Sequence, residues 1–261
     1  MSKKRLIPKL QLRTSPTNGS KMVLTITKNF IGLSDIGDPI SQAKIYQAQG
    51  ADELIFINID REDRHIIKLA NIIQKVSEEI FMPITIGGGV RTEDDFRILL
   101  SFGADKISIN TIAVENPNVI TKASGKYGSQ CVVVSIDYKK DDSGVYTVCT
   151  ECGTKNTGME LAFWAKRAVS LGAGEILLTC IDNDGMGCGL NLEATKLVTE
   201  SVTVPVISSG GCGLANHFIE GFLIGNADAI SAGTFFAHRD QNFMQTRSQI
   251  KNAGIPIRIF S

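Results

Sequence analysis

Eight short, almost wholly apolar segments alternate with eight stretches of helical length in 261 residues, and the second half of the chain echoes the first. Together these predict an α/β fold: a (β/α)8 (TIM) barrel with a half-barrel internal repeat, forming one domain over residues 1–261. The repeat shows in two places. PITIGGGV (83–90) is matched by PVISSGGCG (205–213), so Gly88 and Gly210 lie 210 − 88 = 122 residues apart. GADELIFINID (50–60) is matched by GAGEILLTCID (172–182), again 172 − 50 = 122 apart. A doubly wound open sheet explains two equivalent halves less well, and no G-x-G-x-x-G follows the first strand.

The strands are expected at Leu6–Leu12, Glu53–Ile59, Ile84–Ile86, Lys106–Ile109, Cys131–Ile136, Glu175–Ile181, Val204–Ser208 and Ala229–Ala232. Segments apolar nearly throughout suit parallel strands covered by helices on the outside. Helices are expected near 39–49, 64–79, 92–102, 116–126, 158–171, 191–200, 214–224 and 241–253. Pro39, Pro117 and the Thr92-Glu93-Asp94 cluster stand where helices should begin. Residues 14–38 form a long polar connection with one short apolar stretch at 22–26, and are expected to act as a lid over the C-terminal face.

Bulk composition narrows the function. With 27 basic and 27 acidic residues the formal net charge is zero, so neither nucleic acid nor an anionic membrane surface is an expected partner. No apolar run approaches the roughly 20 residues that cross a bilayer. The N-terminal segment lacks the apolar centre of a secretion signal, so a cytoplasmic protein is expected. Six scattered cysteines then read as thiols. Cys149 and Cys152 form a lone C-x-x-C without the further ligands that a zinc site needs, so no metal and no cofactor are expected.

Chemistry concentrates at strand ends. Glycine turns after late barrel strands offer backbone N–H groups to a phosphate. Gly210-Gly211 and Gly233-Thr234 fit this in the second half; Gly88-Gly89 and Asn110-Thr111 are their partners in the first. A single such turn only reverses the chain, whereas two pairs in matching halves point to a substrate with two phosphates. Carboxylates at C-terminal strand ends are acid/base candidates: Asp137 closes VVVSID, and Asp182 and Asp184 follow LLTC. At the opposite ends, Arg5, Glu53, Lys106 and Glu175 stand at strand starts. They either face solvent or close a salt-bridged layer across the barrel floor, and spacing alone leaves both open.

These segments resemble the cyclase subunit of imidazole glycerol phosphate synthase. The resemblance is carried by GADELIF, IGGGVRTEDDFRILLSFGADKISINTIAVENP, KYGSQCVVVSIDYK, KNTGMELAFWAK, LGAGEILLTCIDNDG, VPVISSGGCG and NADAISAGTFF, and it spans essentially the whole chain. It implies a barrel docked as a heterodimer to a HisH-like glutaminase, with ammonia passing through the barrel to a bis-phosphorylated ribulosyl substrate. By the same resemblance Arg5, Glu53, Lys106 and Glu175 form the ammonia gate, and Asp105 faces the glutaminase. Gly185 joins the phosphate-binding positions.

The chain departs from the family where the chemistry lies. Gln11 stands where the family has a catalytic Asp paired with the one matched by Asp137. An amide cannot cycle a proton near neutral pH. Asn58 replaces an acid, Ile26 a lysine (with Lys28 nearby), and Met186 a threonine. The expectation is a specialised paralogue that delivers ammonia, of the type associated with surface-polysaccharide amidotransferases and sugar amidination, with weakened cyclase chemistry. The ordinary histidine-pathway cyclase and a non-catalytic scaffold for the glutaminase are the rival readings.

Overall fold

A computed structural model describes residues 3–19, 21–60, 66–237 and 243–258. Its strands, in chain order, are β1 (Arg5–Thr14), β2 (Met22–Lys28), β3 (Ile31–Gly37), β4 (Leu54–Asn58), β5 (Ile84–Gly87), β6 (Lys106–Ile109), β7 (Val132–Lys140), β8 (Tyr146–Thr150), β9 (Lys155–Glu160), β10 (Glu175–Cys180), β11 (Val206–Ser209) and β12 (Ala229–Ala232). Eight of them pair in parallel in the order β1-β4-β5-β6-β7-β10-β11-β12, and β12 returns to β1, closing a (β/α)8 TIM barrel. Each corresponds to one expected strand, with ends shifted by a few residues.

The strands close because each has two apolar faces. Outward-facing Leu6, Leu54, Phe56, Ile84, Ile86, Val134 and Leu178 pack under the helices in one continuous core. Inward-facing Ile7, Ile55, Val133, Leu177, Ile207 and Ala229 fill the barrel itself as a separate apolar layer. Period-two alternation then fixes the rest of the interior. Arg5, Lys9 and Gln11 share the inner face of β1 with Ile7.

Helix starts follow local chemistry. Asp38 caps the helix Pro39–Ala48, accepting from the Ser41 N–H at 2.8 Å, with Pro39 in its first turn. Thr92 and Asp95 make a capping box for Glu93–Ser101. The other long helices are Ile66–Ser77, Asn118–Tyr127, Leu161–Ser170, Leu192–Thr199, Ala215–Leu223 and Phe243–Asn252. Positions 64–65 and 241–242 of the expected helices lie outside the described residues. Phe243, at the start of the last helix, stacks on Phe236 at 3.8 Å and meets Tyr46 edge-on. That aromatic contact joins the end of the chain to its first helix. No described helix is long and apolar enough to cross a membrane.

Two expectations need correction. The connection at 14–38, for which no strands were expected, carries a β-hairpin: β2 pairs antiparallel with β1, and β3 with β2. The expected helix at 158–171 begins at Leu161, because 158–160 belong to β9. Strands β8 and β9 extend β7 as a second antiparallel hairpin. Both hairpins escaped the sequence reading because their outer strands are solvated: β3 is exposed at every residue and β9 has no buried residue, so neither shows an apolar run.

Candidate functional site

Both hairpins arch over the C-terminal end of the barrel, and each reaches the opposite half. At the tip of the first, Asn29 and Phe30 adopt φ of 51° and 64°, the two left-handed residues of a tight hairpin turn. Asn29 donates its N–H to the Asp184 carbonyl at 2.8 Å and its amide to the Asp182 carbonyl at 2.6 Å. The tip of the second donates the Glu151 N–H to the Thr111 hydroxyl at 3.1 Å. Gly185 lies directly beneath the Thr27 carbonyl, where a Cβ would come within 2.1 Å of its oxygen. The first hairpin therefore docks through a position that must be glycine.

Under this arch lies a cavity of about 440 Å³. Its walls bring together Gln11, Asp137, Gly88, Gly89, Asn110 and Thr111, all expected site residues. Ile31 and Leu33 of the hairpin wall it from above. Ile26 is half-buried and Lys28 exposed on the hairpin, neither on a cavity wall. Met186 is exposed, and Asn58 is buried, its side-chain oxygen accepting from the Asp60 N–H at 3.0 Å.

The glycine turns have matching backbones. Gly88 and Gly210 have φ of 90° and 89°, and each packs against the strand before it in the chain. A Cβ on Gly88 would fall 2.0 Å from the Asn58 oxygen, and one on Gly210 2.5 Å from the Cys180 oxygen. Only glycine tolerates both the conformation and the approach. The surroundings differ. Gly210, Gly211, Gly233 and Thr234 are off the cavity wall, and the Gly211 carbonyl accepts from Gly189 at 2.8 Å. Thr111 and Thr234 open the short helices Thr111–Glu115 and Thr234–Ala237.

Asp137 lies on the inner face of β7 and accepts from the Asn110 amide at 2.7 Å. Burial pushes its carboxyl up to about 7, and Asp184 adds to that rise. Lys9 and the Asn110 hydrogen bond oppose it. A carboxyl poised near neutrality can both give and take a proton. Gln11 is oriented differently: its side-chain oxygen accepts from the Thr27 hydroxyl at 3.1 Å, tying β1 to the hairpin. Asp184 is buried, and its carboxylate lies 3.7 Å from the Lys9 ammonium. Lys9 was not singled out in the sequence. A lysine between Pro8 and Leu10 gives no signal until strand alternation places it on the inner face.

The four charges at the barrel floor form a closed ring rather than facing solvent. Arg5 reaches Glu53 at 2.5 Å and Glu175 at 2.6 Å; Lys106 reaches the same two carboxylates at 3.0 and 2.9 Å. Burial works against the charge on both cations, and the carboxylates of Glu175 and Glu53 more than reverse it. Both cations therefore stay charged at any physiological pH. Asp105, beside it, is exposed, with one oxygen bound to the Ile84 N–H at 2.8 Å. Among the described residues no group of His, Cys, Asp or Glu side chains could hold a metal ion. Cys149 is buried in β8, whereas Cys152 lines the cavity from the hairpin tip.

The profile of the family described as "Histidine biosynthesis protein" matches residues 5–241. The chain is 47% identical over 260 residues to a Prochlorococcus marinus (strain MIT 9313) protein provisionally named imidazole glycerol phosphate synthase subunit hisF2, covering 99% of both chains. It is 41% identical over 260 residues to imidazole glycerol phosphate synthase subunit HisF of Alkaliphilus metalliredigens (strain QYMF), covering 99% of this chain and all of the other. A closed eight-stranded barrel with that end-to-end similarity settles the family: the chain belongs to the histidine biosynthesis protein family, among the HisF-type subunits of imidazole glycerol phosphate synthase.

Proposed function

We propose that the chain is the synthase-side barrel of a glutamine amidotransferase. Ammonia released by a HisH-like glutaminase, docked as a heterodimer on the N-terminal face near Asp105, enters past the charged ring. It crosses the barrel and attacks a phosphate-bearing substrate in the C-terminal cavity. The single observation that carries this reading is the closed ring of Arg5, Glu53, Lys106 and Glu175 at the barrel floor. Buried ion pairs are poor stabilisers compared with apolar residues of similar volume. A ring of four in place of an apolar layer is better explained as a gate than as a support.

The interior above the ring suits a small neutral guest. The apolar layer of Ile7, Ile55, Val133, Leu177, Ile207 and Ala229 opposes ammonium but not ammonia, because a bare charge is costly to desolvate. Alternation puts Thr85, Ser209 and Ser231 on the same inner face, and their buried hydroxyls have no protein partner. They offer hydrogen bonds to a molecule in transit.

The acceptor chemistry is that of a specialised paralogue with weakened cyclase activity, serving surface-sugar amidination. Gln11 is engaged with Thr27 and lacks a titratable proton. The test is a purified complex with a glutaminase partner, given glutamine and the ribulosyl bis-phosphate intermediate. Glutamine hydrolysis with little imidazole glycerol phosphate is the expected result. Product formed at rates ordinary for the family would sink the specialised reading. The ordinary cyclase is then favoured, as the 41% identity to HisF over full lengths already allows. Complementation of a cyclase-deficient histidine auxotroph would establish that alternative.

A further inference from the structure

In the family the first strand supplies an acid, yet here Gln11 cannot serve as one. The same inner face carries another candidate two residues earlier. Lys9 is only 7% exposed, and it lines the cavity together with Asp137, Ser135 and Thr179. Its ammonium makes no hydrogen bond with any described residue; the nearest carboxylate oxygen, on Asp184, is 3.7 Å away. A buried ammonium is costly unless its donors are used. Elsewhere in the molecule buried cations are committed: Arg247 donates to Asp52, Gly50 and Arg258, and Arg5 to both ring carboxylates. Lys9 alone of these keeps its donors toward the cavity.

We propose that Lys9, rather than Gln11, is the first half-barrel's catalytic residue, the cationic proton donor that works with Asp137 across the cavity. The assignment rests on the reading that ammonia attacks an electrophilic carbon there. As the C–N bond forms, the electron pair of the carbon–heteroatom double bond moves to the heteroatom. Asp137 takes a proton from the nitrogen, and Lys9 gives one to the heteroatom. The pair resets when protonated Asp137 returns its proton to the neutral Lys9 amine. No oxidant or cofactor is required. The charged or titratable groups facing Asp137 are Lys9 from β1, Asp184 after β10 and, across the β7–β8 pair, Cys149.

Two measurements test this. The first needs no substrate: aspartates of the full chain are labelled with 13C and their carboxyl signals followed by NMR against pH. Asp137, identified by its loss in Asp137→Asn, is expected to titrate near neutrality. In Lys9→Met its midpoint should rise by about one pH unit, and in Lys9→Arg it should stay, because a cation remains. An unmoved midpoint in Lys9→Met overturns the pairing. The second uses the complex with the glutaminase, supplied with ammonium chloride and the ribulosyl bis-phosphate intermediate. Both Lys9 variants should lose about 10²-fold or more in kcat with little change in KM, since arginine stays protonated. Undiminished kcat in Lys9→Arg refutes proton donation. Should the wild-type complex make too little product to measure, as the specialised reading expects, the titration alone decides the place of Lys9.

Discussion

The two half-barrels share a scaffold and differ in what they put inside it. Each first strand runs beyond the barrel into an antiparallel hairpin: β1 into β2 and β3, β7 into β8 and β9. Each hairpin tip then clasps the other half, Asn29 on the loop at 182–184 and Glu151 on Thr111. The turn glycines Gly88 and Gly210 have nearly the same φ and press on equivalent strands. Against that symmetry, β1 presents Lys9 and Gln11 to the cavity where β7 presents Ser135 and Asp137. Backbone packing keeps the halves alike, because a change in a turn or strand register disturbs a shared core. Interior side chains above the apolar layer face the cavity rather than the shared core, so they are free to diverge with the chemistry.

The sharpest break in the symmetry should come from the turn glycines. Gly88→Ala places a methyl against the Asn58 carbonyl at positive φ, and about 4 kcal/mol of stability is expected to go from strain and overlap together. Gly210→Ala should lose less, its contact being looser by half an ångström; denaturant unfolding of the two variants checks the order. Equal losses would mean that the two turns are not held by that contact.

The ring links the halves at the floor, with Arg5, Glu53 and Lys106 from the first and Glu175 from the second. Arg5→Met leaves both carboxylates to Lys106 alone, and a loss of about 3 kcal/mol is expected. In the complex, the share of hydrolysed glutamine nitrogen that reaches product should fall as well. A stable variant with unchanged transfer would remove the ring from the ammonia route.

Asp137 sharpens the contrast with Gln11 through pH. Its folded-state value, raised from 3.8 to about 7, means that the folded chain holds this proton more tightly than the unfolded one. Stability from this group is present below about pH 4 and is lost as pH rises through 7. Asp137→Asn should accordingly raise the melting temperature at pH 8 and leave it nearly unchanged at pH 4. A gain of the same size at both pH values would contradict the shift.

The smallest effect is expected at the hairpins' surface pairs. Arg13 binds Asp35 through two bonds of 2.7 Å in the first, and Lys155 meets Glu151 at 3.2 Å in the second. Both are solvated, so Asp35→Asn and Glu151→Gln should each change stability by less than about 1 kcal/mol. A larger loss for Asp35→Asn alone would show that the first hairpin is held more by charge than by its tip.

By itself the sequence determined the barrel, its eight strands and the half-chain repeat. Apolar runs, helix caps and glycine turns are local signals that read the same in any surroundings. It also supplied the residues of the paired glycine turns and the identity of Asp137. Tertiary structure alone decided three things. The hairpins were hidden because their outer strands, β3 and β9, are solvated and carry no apolar run. The ring closed only when β1, β4, β6 and β10 brought four distant charges within hydrogen-bond reach. Lys9 became a site residue only when alternation along β1 turned it inward, above the apolar layer and beside Asp184. Local chemistry fixes which elements form, whereas long-range pairing fixes which of their side chains meet.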